Sequence, residues 1–255
     1  MTKDANILSL AKAWALKNKL IGPQAFLRFV MFNFVEILSQ ASDDFVFKGG
    51  NLLWVYIKTP RSTIDLDFVT LESNSDATVK SILKKVCSHS KAITFKVKDY
   101  KTVISLEKRG ANVVIEYETK DGARNQFELD IVFSVETDVA QIKSPLHEEK
   151  FIKSATLENI IADKLAACAR FGAGNTRMKD YDDLWRLSQS DMKLKSAKLK
   201  TILKRKKLDA SLNISWIGPD LEKSWKNHQK QYKDLPPELM VVFRNINTWL
   251  EGLVG

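Results

Sequence analysis

The spacing of apolar residues changes along the chain and predicts a sheet-containing first part and a helical second part. Apolar residues recur every three or four positions between residues 3 and 41, which is the spacing of helices with one buried face. Alternation of apolar and polar residues then predicts strands at Ile93–Tyr100, Val113–Thr119 and Gln126–Phe133. Glycine-containing turns are predicted between them at Lys108–Asn112 and Lys120–Asn125. After Pro145 the spacing is helical again, so the predicted fold class is α+β, with a mostly antiparallel sheet and flanking helices.

This change of pattern also predicts the domain organisation. A chain of 255 residues can form one large or two small domains, and a hydrophobic content of 44% supports a real core. We expect a core domain with N-terminal helices at 1–145 and a helical C-terminal domain at 146–255.

The stretch from Phe45 to Phe68 is the most informative part of the sequence. A short apolar run ends at Lys48-Gly49-Gly50, and a helix is predicted at Asn51–Lys58. A glycine pair lets the backbone approach a ligand closely, and the N–H groups at a helix start can hold a phosphate. The glycine turn is therefore a candidate phosphate-binding element.

The same stretch ends in a predicted strand, Ile64–Val69, with acids on one face. Because side chains alternate along a strand, Ile64, Leu66 and Phe68 share one face, and Asp65 and Asp67 share the other. Two neighbouring carboxylates repel each other, and a hard cation such as Mg²⁺ relieves that repulsion. The pair is thus a candidate metal ligand.

A third carboxylate on a neighbouring strand would complete a metal cluster. FELDIVF, Phe127–Phe133, repeats the pattern and places Glu128 and Asp130 on one face. Glu116 in VVIEYET is a rival for the same role. Each acid alone is equally typical of the solvated side of an amphipathic strand, so the metal interpretation depends on the whole set together with the glycine turn.

The charge balance makes a polyanionic partner plausible. The net charge is +9 and the pI is about 9.4, although surplus lysines also serve solubility. Met192–Leu208 contains eight Lys and Arg and no acid. This tract is either a solvated helix face or a face that contacts nucleic acid.

Several protein classes are disfavoured by the sequence. Cys87 and Cys168 have no metal-ligand spacing with a histidine and form no disulfide framework. The chain has no Walker-type phosphate loop, no signal-peptide pattern and no apolar run of membrane-spanning length. We expect a cytoplasmic protein without a membrane partner.

Five ordered motifs carry a resemblance to a known family over about residues 45 to 190. KGGNLL followed by RSTIDLDF resembles the nucleotidyltransferase superfamily, with its glycine turn, helix and Asp-x-Asp strand. LDIVF, LENIIADKLAACARF and RMKDYDDLWRL are similar to the AbiEii/AbiGii toxins of type IV toxin–antitoxin and abortive-infection systems. The resemblance implies a nucleotidyltransferase-type sheet that is mixed and mostly antiparallel. Asn51 departs from the pattern, because the superfamily usually has Ser or Thr after the glycine turn.

The resemblance implies a metal-dependent site. Asp65 and Asp67 would hold Mg²⁺ on the triphosphate of an NTP substrate, and Asp130, which fits the LDI motif better than Glu128, would bind a second metal or act as base. Gly49, Gly50 and Asn51 would receive the β- and γ-phosphates.

Further charged residues follow from the same resemblance. Arg61 and Lys164 would be the cations that stabilise the negative charge of the phosphates and of the pyrophosphate leaving group. Lys48 is either a ligand or a structural flank, and Asp183 would hold Lys164 or contact the nucleotide. Arg177 and Lys179 of RMKDYDDL either line the acceptor channel or are surface charges. Asp180 is a candidate cap for the start of the helix, which is a structural role.

Three functions are compatible with this interpretation. The first is transfer of NMP from an NTP to an acceptor such as the 3′ end of tRNA. The second is nucleotide or RNA binding without turnover, for which Asn51 leaves room, and the third is AMPylation of a protein hydroxyl. Membership of a toxin family would also imply a cognate antitoxin.

Overall fold

A computed structural model describes residues 6–70, 75–89, 92–104, 109–134 and 136–255. These residues divide into two compact units. The first comprises the described residues of the ranges 6–52 and 62–155, and the second comprises Leu53–Arg61 and Thr156–Gly255. The division after Ala155 differs from the boundary at 145 that the helical spacing suggested.

The secondary structure follows the predicted order in most places. Helices in the first part of the chain are α1 (Ile7–Lys17), α2 (Pro23–Ala41), α3 (Gly49–Ile57) and α4 (Asp76–His89). The strands are β1 (Phe45–Lys48), β2 (Asp65–Thr70), β3 (Ile93–Ile104), β4 (Arg109–Thr119), β5 (Arg124–Phe133), β6 (Val139–Lys143) and β7 (Phe151–Ala155). The later helices are α5 (Leu157–Phe171), α6 (Met178–Ser188), α7 (Ser196–Lys206), α8 (Pro219–Gln229) and α9 (Leu239–Val254).

In the described ranges, the strands form one mixed sheet in the first unit, ordered β3-β4-β5-β2-β1-β7-β6. β2 runs parallel to β5, and β1 runs parallel to β7, whereas the other neighbours are antiparallel. The prediction of a mixed, mostly antiparallel sheet is thereby confirmed. The apolar face of its central strands is buried, and each large apolar side chain there contributes about 1.5–3 kcal/mol. These side chains include Leu66, Phe68, Val113, Ile115, Leu129 and Ile131.

The helical prediction from Pro145 onward is wrong for Phe151–Ala155, which forms β7, and β6 was not predicted. β7 lies between β1 and β6, with Phe47 opposite Ser154. Its five residues are too few to show a clear alternation, and the pairing partner β1 lies about a hundred residues earlier in the chain. Local pattern therefore could not reveal it.

Some predicted boundaries also change. The predicted turn at Lys108–Asn112 is wrong over Arg109–Asn112, which begins β4, and Lys108 lies outside the described residues. A Cβ on Gly110 would lie 2.0 Å from the carbonyl oxygen of Ile131, so this glycine permits a close strand approach instead of a turn. Ile64 precedes β2 and is 62% exposed, which removes it from the predicted apolar face.

The second unit is helical and has its own core. Thr156 caps α5 by accepting a hydrogen bond from the N–H of Asn159, and Glu158 lies in the first turn of this helix. Trp225 is fully buried, whereas Trp216 and Trp249 are half-buried. Across the described residues, no helix combines the length and the apolar character needed to cross a bilayer.

Candidate functional site

The paired strands β2 and β5 bring the predicted acids of the first unit together on one face of the sheet. In their parallel register, Asp67 lies beside Asp130, and Asp65 lies beside Glu128. Neighbouring strands are about 4.8 Å apart, so each acid lies next to another. Both aspartates of β2 and Asp130 are half-buried, whereas Glu128 is exposed.

This register favours Asp130 over the alternative third acids. Asp130 is the direct neighbour of Asp67, and its other neighbour across β4 is Asn112. Glu116 lies four residues beyond Asn112 on β4, a distance of about 13 Å along a strand. Its carboxylate pairs instead with Lys98, at 2.8 Å.

Gly49 brings the first turn of α3 against the acid face. Its φ is +75°, in the left-handed region that favours glycine, and a Cβ placed there would lie 1.8 Å from Oδ2 of Asp67. The carboxylate of Asp67 therefore packs directly on the bare Cα of Gly49. Lys48, the preceding residue, lies opposite Asp67 in the antiparallel β1–β2 register.

Gly49→Ala is expected to displace Asp67 and to lower both stability and activity. The left-handed backbone costs a non-glycine residue about 1–2 kcal/mol, and the collision with Asp67 adds to this cost. Gly122→Ala is the matched control, because Gly122 has φ +81° but a Cβ placed on it would have nothing within 4 Å. Urea unfolding should show a larger loss for Gly49→Ala, and equal losses for the two variants would contradict the packing described here.

The side chain of Asn51 has a structural role. It is 1% exposed; its Oδ1 accepts a hydrogen bond from Nε of Arg28 at 3.2 Å, and its Nδ2 donates to the backbone carbonyl of Asp65 at 2.6 Å. The amide thus joins α2 to the start of β2. The N–H groups of Gly49, Gly50 and Asn51, at the start of α3, stay the predicted phosphate ligands.

Asn51→Ala should lower the free energy of unfolding by about 1–3 kcal/mol, because the buried carbonyl of Asp65 loses a donor. Asn112→Ala, at an exposed position of β4, should change it by less than about 0.5 kcal/mol. Chemical denaturation measures both. An Asn51→Ala protein as stable as the wild type would remove the proposed role of the amide.

Within the second unit, Arg61, Lys164 and Asp183 form a buried ion cluster. Nε and Nη2 of Arg61 donate to the two carboxylate oxygens of Asp183 at 3.0 and 3.1 Å. Nζ of Lys164 donates to the same carboxylate. The side chain of Asp183 is 0% exposed, and those of Arg61 and Lys164 are about one-tenth exposed. The alternative in which Asp183 holds Lys164 therefore describes the structure.

The cluster is charged on all three members. Burial disfavours the ionised form of Asp183, but Lys164 and Arg61 hold the pKa of its carboxyl below the ordinary value. Burial likewise opposes the charge of Lys164, and Asp183 and Asp180 nevertheless raise its pKa.

Asp180 belongs to this cluster, and it does not cap α6 as the sequence suggested. The helix begins at Met178, with Arg177 as its N-cap residue. Oδ1 of Asp180 lies 3.4 Å from Nζ of Lys164, and Oδ2 accepts from Nε of Arg177 at 3.1 Å. Lys179 is exposed. Because residues three apart share a helix face, the spacing of Asp180 and Asp183 could have predicted their common partner.

Arg28 and Asn112 were also missed, and no local signal marks either residue. Arg28 reaches Asn51 from α2, and Asn112 lies beside Asp130 only through the pairing of β4 with β5. Both placements depend on contacts between distant parts of the chain.

The acids of the first unit fit a magnesium site by their chemistry. Among the described residues, no group of three or more His, Cys, Asp or Glu side chains is gathered closely enough to hold a metal ion alone. Mg²⁺ is usually held by one or two carboxylates together with substrate phosphates, and not by an all-protein cage. Asp67, which packs on Gly49 and lies beside Asp65 and Asp130, matches this kind of site.

Comparisons with known proteins agree with the fold. The family model described as nucleotidyl transferase AbiEii toxin, type IV TA system, matches residues 34–251. A crystal structure of a "putative nucleotidyltransferase" from Helicobacter pylori is 18% identical with a TM-score of 0.56, covering 91% of this chain and 96% of that one. JHP933 from Helicobacter pylori is 17% identical with a TM-score of 0.57, covering 91% and 93%.

No curated protein matches the chain. At these identities the solved structures show a shared fold, and the family model, which spans most of the chain, shows the family. The chain belongs to the AbiEii family of nucleotidyl transferase toxins of type IV toxin–antitoxin systems.

Proposed function

We propose that this toxin transfers a nucleotide from an NTP to an acceptor hydroxyl, with Asp65, Asp67 and Asp130 as ligands of Mg²⁺ and the 3′ end of tRNA as the acceptor. The observation that supports it most strongly is the register that pairs Asp67 with Asp130 beside Gly49.

The reaction is an in-line displacement at the α-phosphorus. The acceptor oxygen forms a bond to that phosphorus, the bond to the bridging oxygen breaks, and pyrophosphate leaves. Mg²⁺ bound at the acids would supply Lewis-acid stabilisation of the charge on the attacking and leaving oxygens. Asp130 is the proposed acceptor of the proton from the attacking hydroxyl, or a ligand of a second ion.

The chain's other groups have binding roles in this proposal. The backbone N–H groups at the start of α3 are proposed to hold the β- and γ-phosphates, and Lys48 is proposed as a nearby cation. Arg61 and Lys164 stay the predicted cations for phosphate and pyrophosphate charge. Asp183 is a positioning residue for both, because it binds both.

The proposal is tested by incubating the protein with total tRNA, Mg²⁺ and each α-³²P-labelled NTP in turn. A labelled tRNA band that is absent with Asp65→Ala/Asp67→Ala would support it and would identify the base. Label on a protein in a lysate, with none on tRNA, would favour protein modification. NTP binding without any labelled product would favour a binding module, and either result would replace the tRNA proposal.

Type IV membership also implies a cognate antitoxin. We propose that growth arrest by this chain is relieved when that antitoxin is expressed with it.

A further inference from the structure

The basic character of the chain is concentrated in one short segment of the second unit. Met192–Leu208 holds eight of the 40 Lys and Arg residues and none of the 31 Asp and Glu residues. The remaining 32 cations therefore nearly balance the 31 acids. A general need for solubility would not place almost the whole charge surplus within 17 residues.

The cations of this segment lie away from its packed face. Leu199, Ile202 and Leu203 are the buried face of α7, which packs on α5 and α9. The exposed cations include Lys193, Lys195, Lys200, Lys204, Arg205 and Lys207. The segment thus consists of α7 and its two short flanks, with an apolar inner side on the helix and basic side chains outward, which together we call the α7 basic face.

Four of the eight cations of this segment have no carboxylate partner in the part of the chain that the structure describes. Lys206 pairs with Asp163 at 3.0 Å, but in the described residues no carboxylate pairs with Lys193, Lys195, Lys204 or Lys207. Lysines elsewhere, such as Lys98 and Lys101 on β3, have acid partners at 2.8 and 3.2 Å.

Helix stability does not explain the whole pattern. Cations in the last turn, such as Lys204, favour the helix dipole, but Lys193 and Lys195 lie at the helix start, where positive charge is unfavourable. The buried carboxylate of Glu158 accepts a hydrogen bond from the backbone N–H of Lys195 and so serves the helix terminus. Helix stability therefore leaves the lysines at this end unexplained.

We propose that the α7 basic face binds the phosphate backbone of a structured RNA. Lysines held on a helix and its flanks need only phosphates to contact, whereas a protein partner would need large apolar or aromatic anchors at the centre of the surface. Ala197 and Thr201, small side chains, lie between the exposed cations. The inference rests on the proposed RNA acceptor and assigns it a docking surface outside the acid face.

The test measures binding of fluorescein-labelled tRNA by anisotropy, without NTP, to Lys193→Glu/Lys195→Glu/Lys204→Glu. A matched control, Lys12→Glu/Lys84→Glu/Lys85→Glu, changes exposed lysines of α1 and α4 and lowers the net charge by the same amount. We expect the α7 variant to bind about tenfold or more weakly, with a salt slope smaller by about two, and the control to bind nearly as the wild type.

Equal losses of tRNA affinity in the two variants would overturn the α7 proposal. Full tRNA affinity in the α7 variant would also overturn it, even if that variant no longer bound a protein partner. Circular dichroism confirms that both variants fold, and the helix start should tolerate Glu well. Because the binding reaction contains no NTP, the result is independent of catalysis. Wild-type protein that binds tRNA through α7 but transfers no label would contradict the proposed function alone.

Discussion

Asp67→Asn should lower the rate of nucleotide transfer on the order of a thousandfold while leaving the fold intact. The substitution keeps the shape of the side chain that packs on Gly49 but removes the charge that a divalent cation requires. Asp130→Asn should have a comparable effect, because Asp130 is the direct neighbour of Asp67 on β5. Single-turnover transfer of an α-³²P label measures both, and thermal unfolding confirms that both variants are folded.

The other acids of the sheet provide matched controls for this first prediction. Glu128→Gln changes an exposed carboxylate on the same strand as Asp130, and Glu116→Gln changes one that is already paired with Lys98. Both variants should retain transfer within about threefold, since surface substitutions rarely have larger effects. A loss in Glu128→Gln that matches Asp130→Asn would make Glu128 the third acid, and full activity of Asp67→Asn would exclude the metal site.

Asp183→Ala should destabilise the second unit by about 3–5 kcal/mol and abolish transfer. The carboxylate is fully buried and is bonded to both Arg61 and Lys164, so its removal leaves buried positive charges facing each other. Urea unfolding measures the loss. Asp234→Ala is the control, because Asp234 is 55% exposed, and its pairing with Arg186 should contribute less than about 1 kcal/mol. A loss of similar size in both variants would contradict the role of the buried cluster.

The same cluster predicts how stability depends on pH. The pKa of Asp183 is lowered in the folded state, so its contribution is fully present above the ordinary Asp pKa of about 4 and is lost as the pH falls through the folded value. The wild type should therefore lose stability in this acidic range more steeply than Asp183→Asn does. Parallel curves for the two proteins would exclude a stabilising ionised Asp183.

Strong local patterns predicted most of the helices and the acid-bearing strands. Leu66 and Phe68 alternate with Asp65 and Asp67 within the six residues of β2. The sequence could not show which acid of β5 lies beside Asp67, because that depends on the register between strands some sixty residues apart. β7 was missed for the same kind of reason.

The role of Asn51 also depended on distant contacts. The resemblance placed it in a phosphate-binding turn, whereas its buried amide bonds to Arg28 and to the backbone of Asp65. The resemblance implied that Asp183 holds Lys164 or contacts the nucleotide. That Arg61 also binds Asp183 could not be predicted, because this contact joins residues more than a hundred positions apart in the chain.

The most direct measurement of the central claim compares two labels on the same NTP in the presence of tRNA and Mg²⁺. Nucleotidyl transfer predicts that an α-³²P label moves to the tRNA, that a γ-³²P label is released in pyrophosphate, and that Asp65→Asn/Asp67→Asn shows neither. Transfer of the γ-label to the acceptor, or α-label transfer that persists in the double variant, would contradict a nucleotidyltransferase site on this acid face.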